Sequence, residues 1–266
     1  MTAEIIGIIS IKGGVGKTTT IISLANILAN VYKQRVLVVD ANFAAPNLRL
    51  YLGLEEPKAG IHEMLQGIII PHKSIYSTSY NFHILPAKLN NKKPTKVSDL
   101  KEHIQRLRTS YDFILIDSSP NTNAEMLATI ESSDEIIPII NPDYATISCT
   151  LLAIRFVEEH KTHIKGLIVN KVYHNKNEVS FREIEKLTGL KIIGVIPHHI
   201  DIHESVLKRN PLEINKRKEY IKEYSEIVKF IMLSKNPAEK LKLQRSFSKT
   251  ISKKNRARIL KEFQKK

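Results

Sequence analysis

One run of residues combines three glycines with two lysines and two threonines: Lys12-Gly13-Gly14-Val15-Gly16-Lys17-Thr18-Thr19. Glycines let successive backbone N–H groups converge on an anion, and a helix that follows adds its positive N-terminal end. Lys17 is then expected to reach the β and γ phosphates of a nucleotide, and the Thr18 hydroxyl to be a ligand of magnesium. The strict pattern has glycine where this chain has Ile11. The position of the run between a predicted strand and a predicted helix favours a phosphate-binding loop over a simple glycine-rich turn.

Two acidic residues follow apolar runs. Asp40 comes after Val36–Val39, and Asp117 comes after Phe113–Ile116. In open parallel sheets, ligands bind at the carboxyl ends of the strands. We therefore predict that Asp117 holds Mg²⁺, in the position of a Walker-B acid, and that Asp40 orients water. The simpler alternative for Asp40 is that its side chain caps the following turn.

The elements that must position these residues are short apolar runs alternating with segments of helical periodicity. Such a pattern predicts a doubly wound α/β fold, a mostly parallel sheet with helices on both faces. The seven predicted strands are Ile5–Ile9, Val36–Val39, Phe82–Leu85, Phe113–Ile116, Glu135–Ile140, Gly166–Val169 and Lys191–Ile196. Predicted helices include Thr18–Ala29, Leu100–Arg108, Ile147–Glu159 and Ser180–Leu187, the last with a capping box of Ser180 and Glu183.

These motifs, in this order, resemble those of the ParA/MinD group of P-loop ATPases, over about residues 4–230. The resemblance implies ATP and Mg²⁺ as cofactors and an ATP-dependent homodimer. In that dimer Lys12 would cross the interface and add positive charge at the partner's nucleotide. Residues 40–48 would form the first switch and residues 117–120 the second. Asn42 and Ser119 depart from the residues that many members of the group carry there.

The resemblance also implies how the base is held. Asn170 is expected to contact adenine, because an amide offers both a donor and an acceptor. The segment Gly194–Pro197 is expected to line the other side of the base, with Pro197 in contact. The segment 141–143 matches a loop near the nucleotide and the dimer interface. Without the resemblance, an Asn at this position would be interpreted as a turn former.

Three histidines near the predicted base site, His198, His199 and His203, raise the question of a metal centre. Adjacent side chains of an extended segment point in different directions, and no cysteine lies nearby to complete a zinc site. We therefore expect histidines in a loop beside a nucleotide, and no zinc site.

Composition excludes several classes of protein. The chain has 266 residues, 42% of them hydrophobic, with one cysteine and no tryptophan. The apolar content is sufficient for a large core and argues against global disorder. The single Cys149 cannot form an intramolecular disulfide, which suits a reducing compartment. Because residues 1–4 lack a basic signal-peptide region and no apolar run reaches roughly 20 residues, we expect a cytoplasmic protein.

The charge is concentrated at the C-terminus. Residues 235–266 hold 12 Lys+Arg against 2 Asp+Glu, a net +10 of the total +14. We therefore predict an ATPase domain at residues 1–234 and a basic tail at residues 235–266. Ile259, Leu260 and Phe263 would share one face of a helix, which resembles the membrane-targeting helix of MinD and suits an anionic membrane. The run 252–256 is equally suited to non-specific DNA, and a tail that binds a protein partner or only adds solubility is a third interpretation.

The leading prediction is a positioning ATPase that binds a surface as its ATP dimer and is released on hydrolysis, in spatial regulation of cell division. Alternatives within the class are partition of a chromosome or plasmid and positioning of a motility or sensory assembly. An activating protein partner is expected, and the tail could place the protein on the inner face of the membrane or on the nucleoid. A metabolic ligase would need a further domain, a metal-cluster scaffold would need paired cysteines, and an inactive adaptor would not need the intact Lys12, Lys17, Thr18, Asp40 and Asp117.

Overall fold

A nine-stranded sheet forms the centre of the part of the chain that the computed structural model describes, residues 2–89, 96–210 and 217–233. The strands are β1 Glu4–Ile9, β2 Val36–Ala41, β3 Tyr76–Ser77, β4 His83–Leu85, β5 Phe113–Ser118, β6 Glu135–Ile140, β7 His163–Ile164, β8 Leu167–Val172 and β9 Ile192–Pro197. Their order is β3-β4-β2-β5-β1-β6-β8-β9, with β7 paired to β6. Every pairing is parallel except that of β3 with β4.

Helices cover both faces of this sheet. They are α1 Lys17–Asn30, α2 Leu48–Tyr51, α3 Ile61–Leu65, α4 Leu100–Leu107, α5 Ala124–Ser132, α6 Tyr144–Glu159, α7 Phe181–Thr188, α8 Ile200–Leu207 and α9 Lys218–Leu233. Strand β1 shows how the two faces are filled. Ile6 and Ile8 pack with residues of α1 and α9, whereas Ile5 packs with residues of α4 and α5 and Ile9 with residues of α5 and α6. Alternate side chains of a strand point to opposite faces, so a continuous apolar run is buried on both sides.

The predicted fold class is confirmed, and all seven predicted strands are present, with Glu135–Ile140 as predicted and the other strands shifted by at most three residues at an end. The count of seven is too low, because β3 and β7 also pair with the sheet. Each of these strands has two residues, too few to show a periodicity in sequence.

The predicted start of α7 is half correct. The Ser180 hydroxyl accepts a hydrogen bond from the Glu183 N–H at 3.2 Å, as an N-cap should. The Glu183 carboxylate accepts a hydrogen bond from the Tyr144 hydroxyl at 2.8 Å, which ties α7 to the first residue of α6. The side chain expected to close the capping box therefore joins two helices.

Strand order places the predicted site at one edge of the sheet. The chain leaves β1 through the phosphate-binding loop, enters α1, and returns as β2 on one side of β1, while β6, β8 and β9 lie on the other. Chain connections that diverge in this way leave a crevice at the carboxyl ends of the strands. In the ladder of β2 and β5, Asp40 lies directly opposite Asp117. The two predicted acids are therefore neighbours beside the loop.

Helix α9 is the last described element, and it packs on α1 and β9. Its buried Tyr220 shares a hydrogen bond with Ser23 of α1. The predicted tail at residues 235–266 lies outside the described residues. Within the described ranges, no helix is both long and apolar enough to cross a bilayer.

Candidate functional site

The phosphate-binding loop has a backbone that only glycine adopts readily at two positions. Gly14 has φ +76° and Gly16 has φ +99°, in the region that L-residues with a side chain seldom occupy. A Cβ added at Gly16 would also clash with the Asn170 amide nitrogen. The predicted glycines are thus required by backbone conformation and by the close approach of β8, and the helix N-terminus of α1 follows directly at Lys17.

Lys17, Thr18 and Asp117 meet at the start of α1. The Thr18 hydroxyl donates to the Asp117 Oδ2 atom at 2.6 Å, and both side chains are buried. Burial lowers the pKa of Lys17, and the nearby charge of Asp117 acts in the opposite direction. This grouping joins a cation for phosphate to the hydroxyl and carboxylate that the sequence predicts as magnesium ligands.

The chemistry of these residues fits Mg²⁺. The Asp117 Oδ1 atom is buried and has no hydrogen-bond partner, and a buried carboxylate oxygen without a partner is costly. Burial raises the pKa of Asp117 to about 6, although Lys17 and the Thr18 hydrogen bond both lower it. A divalent cation would satisfy the oxygen and hold the carboxylate ionised, and oxygen atoms are the ligands that Mg²⁺ prefers.

Asp40 is fully buried at the end of β2, beside Asp117. Its carboxylate accepts hydrogen bonds from the backbone N–H groups of Leu48 at 3.1 Å and Asn42 at 3.2 Å. Burial and then the charge of Asp117 raise the pKa of Asp40 to about 8, against these hydrogen bonds. The turn-capping alternative is therefore present in the structure, and it coexists with a position beside the metal-binding carboxylate.

Lys12 lies on the outside of the loop, and its side chain is 45% exposed. Its ammonium nitrogen is 3.6 Å from the Asp143 Oδ1 atom. Asp143 caps α6 by accepting from the Thr146 N–H at 2.8 Å. Partial burial acts to raise the pKa of Asp143, but the Thr146 hydrogen bonds and the charge of Lys12 hold it below its ordinary value. The predicted loop at 141–143 is thus brought next to the predicted signature lysine.

A cavity of about 410 Å³ extends from the phosphate-binding loop towards β8 and β9. Asn170 lies in its wall and donates through its amide nitrogen to the Val15 carbonyl at 2.8 Å. Beside it, the Lys171 ammonium donates to the Gly14 carbonyl at 2.6 Å. Pro197 lines the same cavity. The structure therefore brings Asn170 and Pro197 together as predicted, while their contact with adenine stays a prediction.

Two of the three histidines near the predicted base site can be placed in the structure. His198 and His199 line the cavity, as expected for loop histidines beside a nucleotide, whereas the side chain of His203 lies outside the described part of the chain. Among the described residues, no group of three or more histidine, cysteine, aspartate or glutamate side chains is placed to hold a metal ion.

Several cavity residues were given no individual role by the sequence motifs, among them Asn47, Tyr51 and Tyr224. The Asn47 Oδ1 atom lies 3.2 Å from the Thr18 hydroxyl oxygen, Tyr51 lies on α2, and Tyr224 comes from α9. Asn47 belongs to the predicted first switch, so its position in the sequence was a usable signal. Tyr224 lies more than 200 residues from the loop in the sequence, and no local pattern distinguishes it from other helical core residues.

Asn42 and Ser119, which differ from the residues that many family members carry in the two switches, both make local hydrogen bonds. The Asn42 amide nitrogen donates to the Ala45 carbonyl at 2.7 Å, and the Ser119 hydroxyl donates to the Asn123 Oδ1 atom at 2.8 Å. Asn123 in turn caps α5 by accepting from the Met126 N–H. These residues shape the two turns around the site.

Comparison with known proteins agrees with this geometry. Residues 6–212 match the family described as the CobQ/CobB/MinD/ParA nucleotide binding domain. An uncharacterised ATP-binding protein of Methanocaldococcus jannaschii is 32% identical over 219 residues, which cover 80% of this chain and 81% of that protein.

Two solved structures are similar along most of the chain. The septum site-determining protein MinD of Pyrococcus horikoshii, in complex with Mg-ADP, has a TM-score of 0.80 at 25% identity and covers 86% of this chain and 96% of its own. A putative plasmid partition protein of Borrelia burgdorferi, bound to AMPPNP, has a TM-score of 0.73 at 27% identity. The match covers 88% of this chain and 99% of that protein's chain. The predicted resemblance is therefore confirmed by sequence and by fold.

Proposed function

Because the chain belongs to the CobQ/CobB/MinD/ParA nucleotide-binding family, we propose that it is an ATP-dependent positioning ATPase. It binds Mg-ATP, dimerises, attaches to a cellular surface as the dimer, and leaves the surface after hydrolysis. The observation that carries the proposal is the meeting of Lys17, Thr18 and Asp117 at the start of α1, with Asp40 opposite Asp117. These are the groups that phosphoryl transfer to water requires.

Each of these residues has a separate part in the reaction. Lys17 and the backbone N–H groups of the loop hold the phosphates, and Thr18 with Asp117 would hold Mg²⁺. When bound there, the ion would supply positive charge that offsets the negative charge of the phosphates. Asp40 orients the attacking water. Burial and the charge of Asp117 raise the pKa of Asp40 to about 8 in the nucleotide-free protein.

Lys12 couples nucleotide binding to dimerisation. Its half-exposed ammonium group on the outer side of the loop can reach a second copy facing the same cavity. A positive charge from the partner would stabilise the charge that develops on the transferring phosphoryl group. The Lys12–Asp143 pair is exposed and therefore weak, so it can be exchanged for a contact across the interface.

Size-exclusion chromatography with ATP and with ADP tests this proposal. We expect ATP to convert monomer to dimer, and Asp40→Ala to accumulate the ATP dimer because it binds nucleotide without orienting water. Lys12→Ala should stay monomeric or hydrolyse ATP poorly. Identical elution of all forms with both nucleotides would contradict the proposal.

For the cellular role we propose spatial regulation of cell division, with the protein in the cytoplasm and at the inner face of the membrane. The support is the similarity to a septum site-determining MinD and the 12 cations of residues 235–266 against 2 acids. Two tails in one dimer bind a surface far more tightly than one tail. Removal of residues 235–266 should abolish sedimentation with anionic liposomes and leave ATP hydrolysis nearly unchanged, whereas full binding by the truncated protein would exclude the tail as the anchor.

A second candidate function is partition of a chromosome or plasmid, with the dimer on non-specific DNA. The observations that favour it are the similarity to a putative plasmid partition protein and the same basic tail. Binding to DNA would weaken steeply with salt. A DNA shift assay with and without ATP, run beside the liposome assay, distinguishes the two roles, and an activating protein partner belongs to either.

A further inference from the structure

The loops after β8 and β9 bring two aromatic rings together beside the nucleotide cavity. The rings of Tyr173 and His198 are stacked, with centroids 4.2 Å apart and planes inclined by 22°. The His198 N–H donates to the Val172 carbonyl at 2.9 Å, which continues the pairing of the two strands into their loops. The stack is therefore held by backbone hydrogen bonding as well as by ring contact.

Tyr173 is fixed from the other direction as well. Its N–H donates to the Glu178 Oε1 atom at 2.6 Å, within the loop that leads to α7. Tyr173 is 59% exposed, whereas His198 lines the cavity. Tyr173 thus supports His198 from the outside, and the imidazole ring forms part of the cavity wall.

The stack lies at the end of the cavity away from the metal-binding residues. Asp40 and Asp117 end strands on one side of β1, while β8 and β9 lie two and three strands away on the other side. At the usual strand spacing, β8 and β9 lie roughly 10 and 14 Å from β1, and farther from the strands that carry the two acids. A nucleotide with its phosphates at the loop after β1 would extend its base towards β8 and β9.

Groups at this end suit a flat heteroaromatic ligand. The Asn170 amide lies in the wall and can face a polar ring edge, and Pro197 adds an apolar surface. His199 is differently engaged, since its Nε2 atom lies 3.3 Å from the Glu223 Oε2 atom. His198 lines the cavity and stacks on Tyr173, so its ring is placed to present a face to the cavity.

We propose that the Tyr173–His198 stack is the platform on which the purine base of the nucleotide stacks. The proposal rests on nucleotide binding at the phosphate loop and adds the residues that distinguish a nucleotide from a simple triphosphate. Stacking of a base on an aromatic side chain contributes an affinity of about 5- to 150-fold, as judged by alanine substitution. The platform would then favour nucleotides with a large ring system over inorganic polyphosphate.

Calorimetric titration of the full chain with two probes, Mg-ATP and magnesium tripolyphosphate, tests the platform. The second probe has the three phosphates and no base. We expect His198→Ala to weaken Mg-ATP binding by about 5- to 150-fold and to leave tripolyphosphate binding unchanged. His198→Phe keeps a ring and should stay close to wild type, and Tyr173→Ala should lose less affinity for ATP than His198→Ala.

A second readout reports the stack directly. In the wild-type complex the proton resonances of the adenine ring should shift upfield by the ring current, and His198→Ala should remove the shift. Equal weakening of both probes in His198→Ala, or unchanged ATP affinity in it, would overturn the platform. Wild-type protein that binds neither probe would instead refute the phosphate site, and with it the proposal that depends on it.

Discussion

Replacing Asp40 by asparagine should change how the stability of the nucleotide-free protein depends on pH. The pKa of Asp40 is raised from 3.8 to about 8, by burial and then by the charge of Asp117. A carboxyl whose pKa is higher in the folded than in the unfolded chain holds its proton preferentially when folded. The preferential protonation of folded Asp40 adds to the free energy of unfolding. This addition is complete below pH 3.8 and is lost as the pH rises towards 8.

The magnitude follows from this difference in proton binding. Between the two pKa values the folded state holds about one more proton at this site, which corresponds to about 1.4 kcal/mol of stability lost per pH unit. Between pH 5 and pH 7, Asp40 alone should lower the free energy of unfolding by on the order of 3 kcal/mol. An asparagine side chain cannot ionise, so the Asp40→Asn variant should lack this part of the slope. The substituted amide also has one acceptor oxygen for the two N–H groups of Leu48 and Asn42, a pH-independent loss of about 1 kcal/mol.

Urea unfolding in EDTA at pH 5, 6, 7 and 8 measures the effect. We expect the stability of Asp40→Asn to rise relative to wild type with increasing pH, and the variant to be the more stable protein at pH 8. Glu102→Gln is the matched control, because it removes a carboxylate whose side chain is 68% exposed on α4. Parallel stability profiles for Asp40→Asn and wild type would refute the assignment of a protonated, buried Asp40.

Three further changes test the rest of the site. Lys17→Ala should weaken ATP binding by at least about 10-fold, the value of one hydrogen bond to a charged group, whereas Lys33→Ala, an exposed lysine, should not; equal affinities would contradict the phosphate assignment. Asp117→Asn should bind ATP with an affinity that no longer increases on adding Mg²⁺, which titrations with Mg²⁺ and with EDTA would show, and a retained increase would place the metal elsewhere. Gly16→Ala should be destabilised by more than about 1 kcal/mol and lose ATP binding, because its Cβ would clash with the Asn170 side chain. Gly67→Ala has a similar positive φ in open space, so comparable losses of stability and ATP binding in both variants would exclude the steric explanation.

The sequence by itself determined the type of fold and the phosphate end of the site. Continuous apolar runs predicted buried parallel strands because both faces of such strands are covered. The bounds differed most at the carboxyl ends of β2, β5 and β8, where polar residues continue the strand beyond the apolar run. The loop from Lys12 to Thr19 could be predicted from the sequence because the groups that bind phosphate are close together in the chain. Its N–H groups, its lysine and its threonine all come from one strand–loop–helix segment.

Asp40 and Asp117 were placed by a rule of topology rather than by local pattern. Each follows an apolar strand, and the carboxyl ends of parallel strands share one edge of the sheet. The sequence could predict that both acids lie at that edge. Only the pairing of β2 with β5 made them direct neighbours. Burial, together with the charges and hydrogen bonds that the fold places around the two carboxyls, set the pKa of Asp40 at about 8 and that of Asp117 at about 6.

The wall of the cavity towards β8 and β9 was decided by tertiary structure. Tyr224 reaches the cavity because α9 packs back on α1, and Tyr173 meets His198 because β8 pairs with β9. Contacts between residues far apart in the chain leave no period or motif in the sequence, since each side chain alone is compatible with many environments. Packing of whole elements brought these residues together, whereas the backbone conformation of a few consecutive residues sufficed to form the phosphate-binding loop.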